Sequence, residues 1–92
     1  MPVTIHIPTA LRTYADNKPS VDVQGATVAD ALQDLTAQYP ILSKHLRTAD
    51  GKLRSFVNIY LGDEDIRYLD KEATVVPDGA SLSIVPSIAG GR

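Results

Sequence analysis

The 92-residue chain contains no cysteine, which excludes disulfides, thiolate metal sites and thiol catalysis together. It has two histidines, His6 and His45, and their separation lacks the spacing of a metal-binding pair. No apolar run approaches the roughly 20 residues that a membrane helix needs. The first residues lack the charged-then-apolar pattern of a signal peptide. A net charge of -2 and a pI near 5.5 argue against a general nucleic-acid binder. These absences lead to the expectation of a soluble cytoplasmic protein with neither membrane nor nucleic-acid partners. What remains is ordinary: 43% apolar and 22% charged residues, enough for one small domain with a single core.

Hydrophobic periodicity divides the chain. "VTIHIP" alternates Val3, Ile5 and Ile7 with Thr4 and His6, a half-buried strand that Pro8 stops. "LRTYADNKPS" carries the turn residues Asp16, Asn17 and Pro19 and reads as a loop. Val21 and Val23 predict a second strand, ending at Gly25. The period then becomes helical, with Val28, Ala31, Leu32, Leu35 and Tyr39 on one face. Thr27 is placed to cap this helix, and Asp30 makes a shortened capping box. Pro40 pushes the residue before it out of the helical region and ends the run. Ile41, Leu42 and Leu46 predict a short helical piece, followed by a turn at Asp50-Gly51.

"SFVNIYLG" is the strongest strand signal, with Val57, Ile59 and Leu61 on one face and Phe56, Asn58 and Tyr60 on the other. "EDIRYL" predicts a short edge strand. After the Pro77-Asp78-Gly79 turn, Leu82 and Ile84 alternate with Ser81 and Ser83 in a last strand. One amphipathic helix needs a sheet to cover it, and these strands supply one. The expected fold is therefore α+β: a ubiquitin-like β-grasp, with a mixed four- to five-stranded sheet covered by one main helix. Val28, Leu32 and Leu35 should pack on Val3, Ile5, Ile7, Val57, Ile59, Leu82 and Ile84. Residues 1–87 are expected to form the domain and residues 88–92 a C-terminal diglycine tail.

The stretch "FVNIYLGDEDIR", with the terminal "VPSIAGG", resembles the small sulfur carriers of the MoaD/ThiS family. Within it the chain is most similar to the CysO type, the carriers of thiocarboxylate-dependent cysteine synthesis. The "IPTALR" opening, the helix and the "PDG" turn fall in the family's order, and the resemblance runs from Val3 to Gly91. It implies a carrier and not an enzyme, with no catalytic residue, bound cofactor or metal of its own. It also implies that the carboxylate of Gly91, following Gly90, is adenylated at the expense of ATP by a ubiquitin-activating-type enzyme. Sulfur then displaces AMP to leave a thiocarboxylate. Glycine suits this task because a backbone without Cβ threads a narrow channel. A cysteine-synthase-like enzyme would accept the sulfur. Molybdopterin synthesis (as the small synthase subunit), thiazole formation and tRNA thiolation are the alternatives within the class. A ubiquitin-like protein modifier is the alternative outside it.

Arg92 departs from the family pattern, in which activated chains end at the second glycine. With Arg92 attached, Gly91 offers an amide and nothing to adenylate. Three accounts stand open. Arg92 is a propeptide removed at the Gly91-Arg92 bond by a JAMM-type zinc peptidase, an addition foreign to the natural chain, or the mark of a non-reactive binding module. For partner binding, Phe56, Tyr60 and Tyr68 are the candidates, as an apolar patch opposite the core face. The alternative is that Phe56 turns into the core through a bulge. Asp63, Glu64 and Asp65 are expected to form a solvated turn, and His6 to be a plain surface residue.

Overall fold

β1 (Val3–His6) and β2 (Ser20–Val23) form an antiparallel hairpin in which Val3 faces Val23 and Ile5 faces Val21. All four of these side chains are buried, so the alternation read from the sequence is the alternation of the sheet. The connection between them is not the loop expected. Thr9–Tyr14 is a 3₁₀ helix. It is tied down by Arg12, whose Nε donates to the Ile7 carbonyl at 3.0 Å. The Arg12 carbonyl in turn accepts from the Ala15 and Asn17 amides. Asp16 and Asn17 then reverse the chain with φ of 55° and 60°, a region that short polar side chains tolerate.

The computed structural model describes residues 2–54 and 57–86. Phe56, Gly90, Gly91 and Arg92 lie outside them, as does the expected boundary between residues 87 and 88.

α1 (Val28–Gln38) starts where predicted, with Thr27 Oγ1 accepting from the Asp30 amide at 3.2 Å. Val28, Ala31, Leu32 and Leu35 form its buried face. Gly25 precedes it for a steric reason: a Cβ there would lie 2.5 Å from the Ala31 backbone nitrogen. The end of β2 thus lies directly against α1, and the Asp34 carboxylate accepts from the Gln24 amide at 2.8 Å. After Pro40, α2 (Ile41–Leu46) turns Leu42 and Leu46 into the same core. His45 of α2 stacks on Tyr14 with ring centres 4.1 Å apart, joining α2 to the 3₁₀ helix.

β3 (Val57–Leu61), β4 (Glu64–Asp65) and β5 (Ser81–Pro86) complete a sheet of order β2-β1-β5-β3-β4. The central β1–β5 pair is parallel and the other neighbours are antiparallel, so the sheet is mixed. β5 is set up by the predicted turn, in which the Ala80 amide donates to the Pro77 carbonyl and Gly79 takes φ 78°. Every residue expected in the core is buried there, and Ala15, Ile66 and Val76 join them. Among the described residues, no helix is long and apolar enough to cross a membrane.

Candidate functional site

Residues paired across a sheet present their side chains to the same face. The register of β1, β5, β3 and β4 therefore puts His6, Ser83, Tyr60 and Asp65 in one row on the face away from α1. Next to that row Asn58 pairs with Val85, a valine 43% exposed. One position further, Val57 pairs with Pro86, the last residue of β5. The outer face and the last described residue of the chain, Pro86, are thus adjacent.

The segment expected as an edge strand pairs only through Glu64 and Asp65, opposite Leu61 and Tyr60. Ile66–Tyr68 then closes into a 3₁₀ turn. The physical reason is Asp65, whose Oδ1 accepts from the Arg67 backbone amide at 2.9 Å and so bends the chain out of the ladder. The expectation of a solvated acidic turn fails for this residue. Asp63 and Glu64 are exposed, but Asp65 is 7% exposed and holds the Arg67 guanidinium through Nε and Nη2, the latter at 2.7 Å. The side-chain and backbone hydrogen bonds from Arg67 lower the Asp65 pKa below its ordinary 3.8, against the opposing effect of burial. Asp65 raises the Arg67 pKa in return, and Tyr68 and Tyr60 add to the effect.

Of the candidate docking residues, Tyr60 is half-buried on the outer face and Tyr68 is 85% exposed. Both line one shallow depression, with Arg67 and Asp65 between them. Phe56, Gly90, Gly91 and Arg92, outside the described residues, receive no placement. Arg67, Val85 and Asn58 are neighbours of this surface that periodicity did not single out. His6, expected as a plain surface position, is exposed and belongs to the same row as Tyr60. Among the described residues, no three His, Asp or Glu side chains converge as metal ligands would.

Comparison with known proteins gives a consistent picture. The model of the ThiS family matches residues 5–91, a span that includes both glycines of the pair. The sulfur carrier protein CysO of Mycobacterium tuberculosis is 43% identical over 93 residues, covering 99% of this chain and all of that protein. Small archaeal modifier protein 3 of Haloferax volcanii is 38% identical over 66 residues, 72% of this chain and 71% of that protein. Among solved structures, the BexX/CysO complex of Amycolatopsis orientalis contains a chain that superimposes with a TM-score of 0.88 at 38% identity. That match covers 97% of this chain and 99% of the other. Crystalline CysO of Mycobacterium tuberculosis gives 0.86 at 41% identity, covering 94% and 99%.

Proposed function

This chain belongs to the ThiS family of ubiquitin-like sulfur carriers, and we propose that it bears sulfur as a thiocarboxylate on Gly91 for cysteine biosynthesis. The observation that carries this reading is positional. The family match runs to Gly91, and Gly91 lies five residues beyond the last residue of β5. Five extended residues reach about 17 Å, enough to enter a deep active site while the domain stays outside.

The steps follow from the chemistry of a carboxylate. A peptidase of the JAMM zinc type cuts the Gly91-Arg92 amide and frees the Gly91 carboxylate. An adenylating enzyme joins that carboxylate to the α-phosphate of ATP and releases pyrophosphate, which turns a poor leaving group into a good one. A sulfide equivalent attacks the carbonyl, AMP departs with the bonding electrons, and –C(=O)S⁻ remains. This sulfur is the nucleophile delivered to a cysteine-synthase-like acceptor. The folded body contributes recognition. Tyr60 and Tyr68, with Phe56 before β3, are the docking residues, and their contacts offset the ordering entropy lost when the tail enters a channel.

The test is intact mass. A chain ending at Gly91, given the adenylating enzyme, ATP and sulfide, should gain about 16 Da as oxygen is exchanged for sulfur. No gain under conditions that load a known carrier would refute the proposal. A second use, as a protein modifier, is favoured by the likeness to the archaeal modifier. It begins with the same adenylate and would appear as adducts on target lysines instead. Molybdopterin, thiazole or tRNA sulfur transfer would differ only in the acceptor.

A further inference from the structure

The parallel pairing of β1 with β5 brings whatever follows each of them to the same end of the sheet. The 3₁₀ helix Thr9–Tyr14 follows β1, and β5 ends there at Pro86. β3 runs antiparallel to β5, so its first residue, Val57, lies opposite Pro86. α2 is held against the 3₁₀ helix by the stack of His45 on Tyr14. Segments distant in sequence thus meet around Pro86, and a depression of about 400 Å³ lies between them. Leu11, Val57 and Pro86 give it apolar walls.

Its charged groups have one sign. Lys44 and Arg54 line it, with His45 beside them, and among the described residues no acid contributes to the lining. Arg54 is fixed in place, with Nε donating to the Lys44 carbonyl at 3.0 Å and its backbone amide donating to the Leu46 carbonyl. Neither bond neutralises a charge. Among the described residues, Lys44 and Arg54 make no ion pair. Arg54 also borders the neighbouring depression, but Glu72, the acid there, is held by Arg47 with Nη2 donating at 2.6 Å. Two uncompensated cations therefore flank the end of β5 in a chain whose net charge is -2.

Position says what meets them, on the reading that Gly91 is the residue loaded. Gly91 is five residues past Pro86, so an enzyme that acts on it holds it within about 17 Å of Pro86. The more deeply the tail is threaded, the closer the mouth of the channel comes to the residues around Pro86. We infer that Lys44 and Arg54 form a basic collar that docks on an acidic rim around the tail channel of the adenylating enzyme. Cations set against carboxylates at a rim steer the encounter and reject a basic surface. The collar lies on the core side of the sheet, apart from Tyr60 and Tyr68. It selects by charge, where the tyrosines supply apolar contact.

The test is direct binding, by calorimetry, of the full chain to the ubiquitin-activating-type enzyme of the same organism. Neither ATP nor sulfide is present. Lys44 is exposed, so Lys44→Glu should leave the urea midpoint in place and raise Kd about tenfold at about 0.05 M salt. Arg54→Gln keeps a donor for the Lys44 carbonyl, removes the charge and should raise Kd about fivefold. Between about 0.05 and 0.5 M salt the affinity of the unaltered chain should fall at least about fivefold. The fall should be smaller for Lys44→Glu. Lys18→Glu, the same charge change outside the depression, should bind as the unaltered chain does. Unchanged Kd in both collar variants, equal weakening by Lys18→Glu, or no binding at all would overturn the collar. The Gly91 reading survives any of these if the chain ending at Gly91 still gains sulfur. Collar-dependent binding without that gain of mass would uphold the collar and refute the Gly91 reading.

Discussion

Asp65 and Arg67, two residues apart, close on each other by three routes: the Asp65 carboxylate accepts from the Arg67 amide, from Nε and from Nη2. This clasp ends β4, starts the 3₁₀ turn and sets Tyr68 beside Tyr60. Its pH dependence has a definite sign. The Asp65 pKa is lowered in the folded state, so its stabilisation is present above the ordinary 3.8 and is lost as pH falls through the depressed value. Asp65→Asn should lower the melting temperature at neutral pH and flatten the acid limb of the stability curve. Thermal melts from about pH 7 to about pH 2 check this; parallel losses in the two proteins would remove the clasp from the account.

A core prediction separates packing from close approach. Leu32 is fully buried on the core face of α1, and Leu32→Ala should cost about 2–5 kcal/mol in urea unfolding. Gly25→Ala adds a methyl group where the Ala31 backbone nitrogen would be only 2.5 Å away. It should cost about 1–3 kcal/mol, because a backbone atom has to shift. A change at Gly25 within about 0.5 kcal/mol, the usual surface range, would mean that β2 and α1 separate freely.

The aromatic docking pair gives a cleaner readout. Tyr68 is almost wholly exposed, so Tyr68→Ala should leave the urea midpoint unchanged. If it contacts the adenylating enzyme, KM for the carrier should rise about tenfold with kcat little altered, the pattern of lost uniform binding. Tyr60→Ala should act in the same direction with some loss of stability, since Tyr60 is half-buried. An unchanged KM in both would move the docking surface elsewhere.

Much of the architecture was legible because β1, β2, β3, β5 and α1 each carry their own period. The core face of α1 needed only the spacing of Val28, Ala31, Leu32 and Leu35. The 3₁₀ helix at Thr9–Tyr14 was not legible, since the Arg12 side chain braces it against the end of β1 and its own residues have no period. Asp65 was misread because a single side chain-to-backbone bond decides between ladder and turn there. The row from His6 to Asp65 depends on a parallel pairing of Ile5 with Leu82, residues at opposite ends of the sequence. No local pattern encodes that. The depression beside Pro86 is likewise assembled from separate segments, with Leu11 after β1, Lys44 in α2 and Arg54 before β3.

The last prediction concerns the glycine that carries the cargo. A chain that retains Arg92 holds Gly91 as an amide, whose carbonyl cannot form an acyl-adenylate with ATP. It should stay at its starting mass until a peptidase cuts after Gly91. Gly91→Ala in a chain ending at residue 91 still presents a carboxylate, so the chemistry itself remains possible. The added Cβ narrows the backbone angles open to that residue and widens it where a channel admits only main chain. Loading should therefore slow by about two orders of magnitude, the scale expected when a reacting group is misplaced by about 1 Å. The urea midpoint should not move, because the change alters none of the buried residues between Val3 and Ile84 that form the described core. Equal loading of the Arg92-bearing and trimmed chains would rule out arming by cleavage. A normal rate with Ala at 91 would show that the channel does not read the glycine.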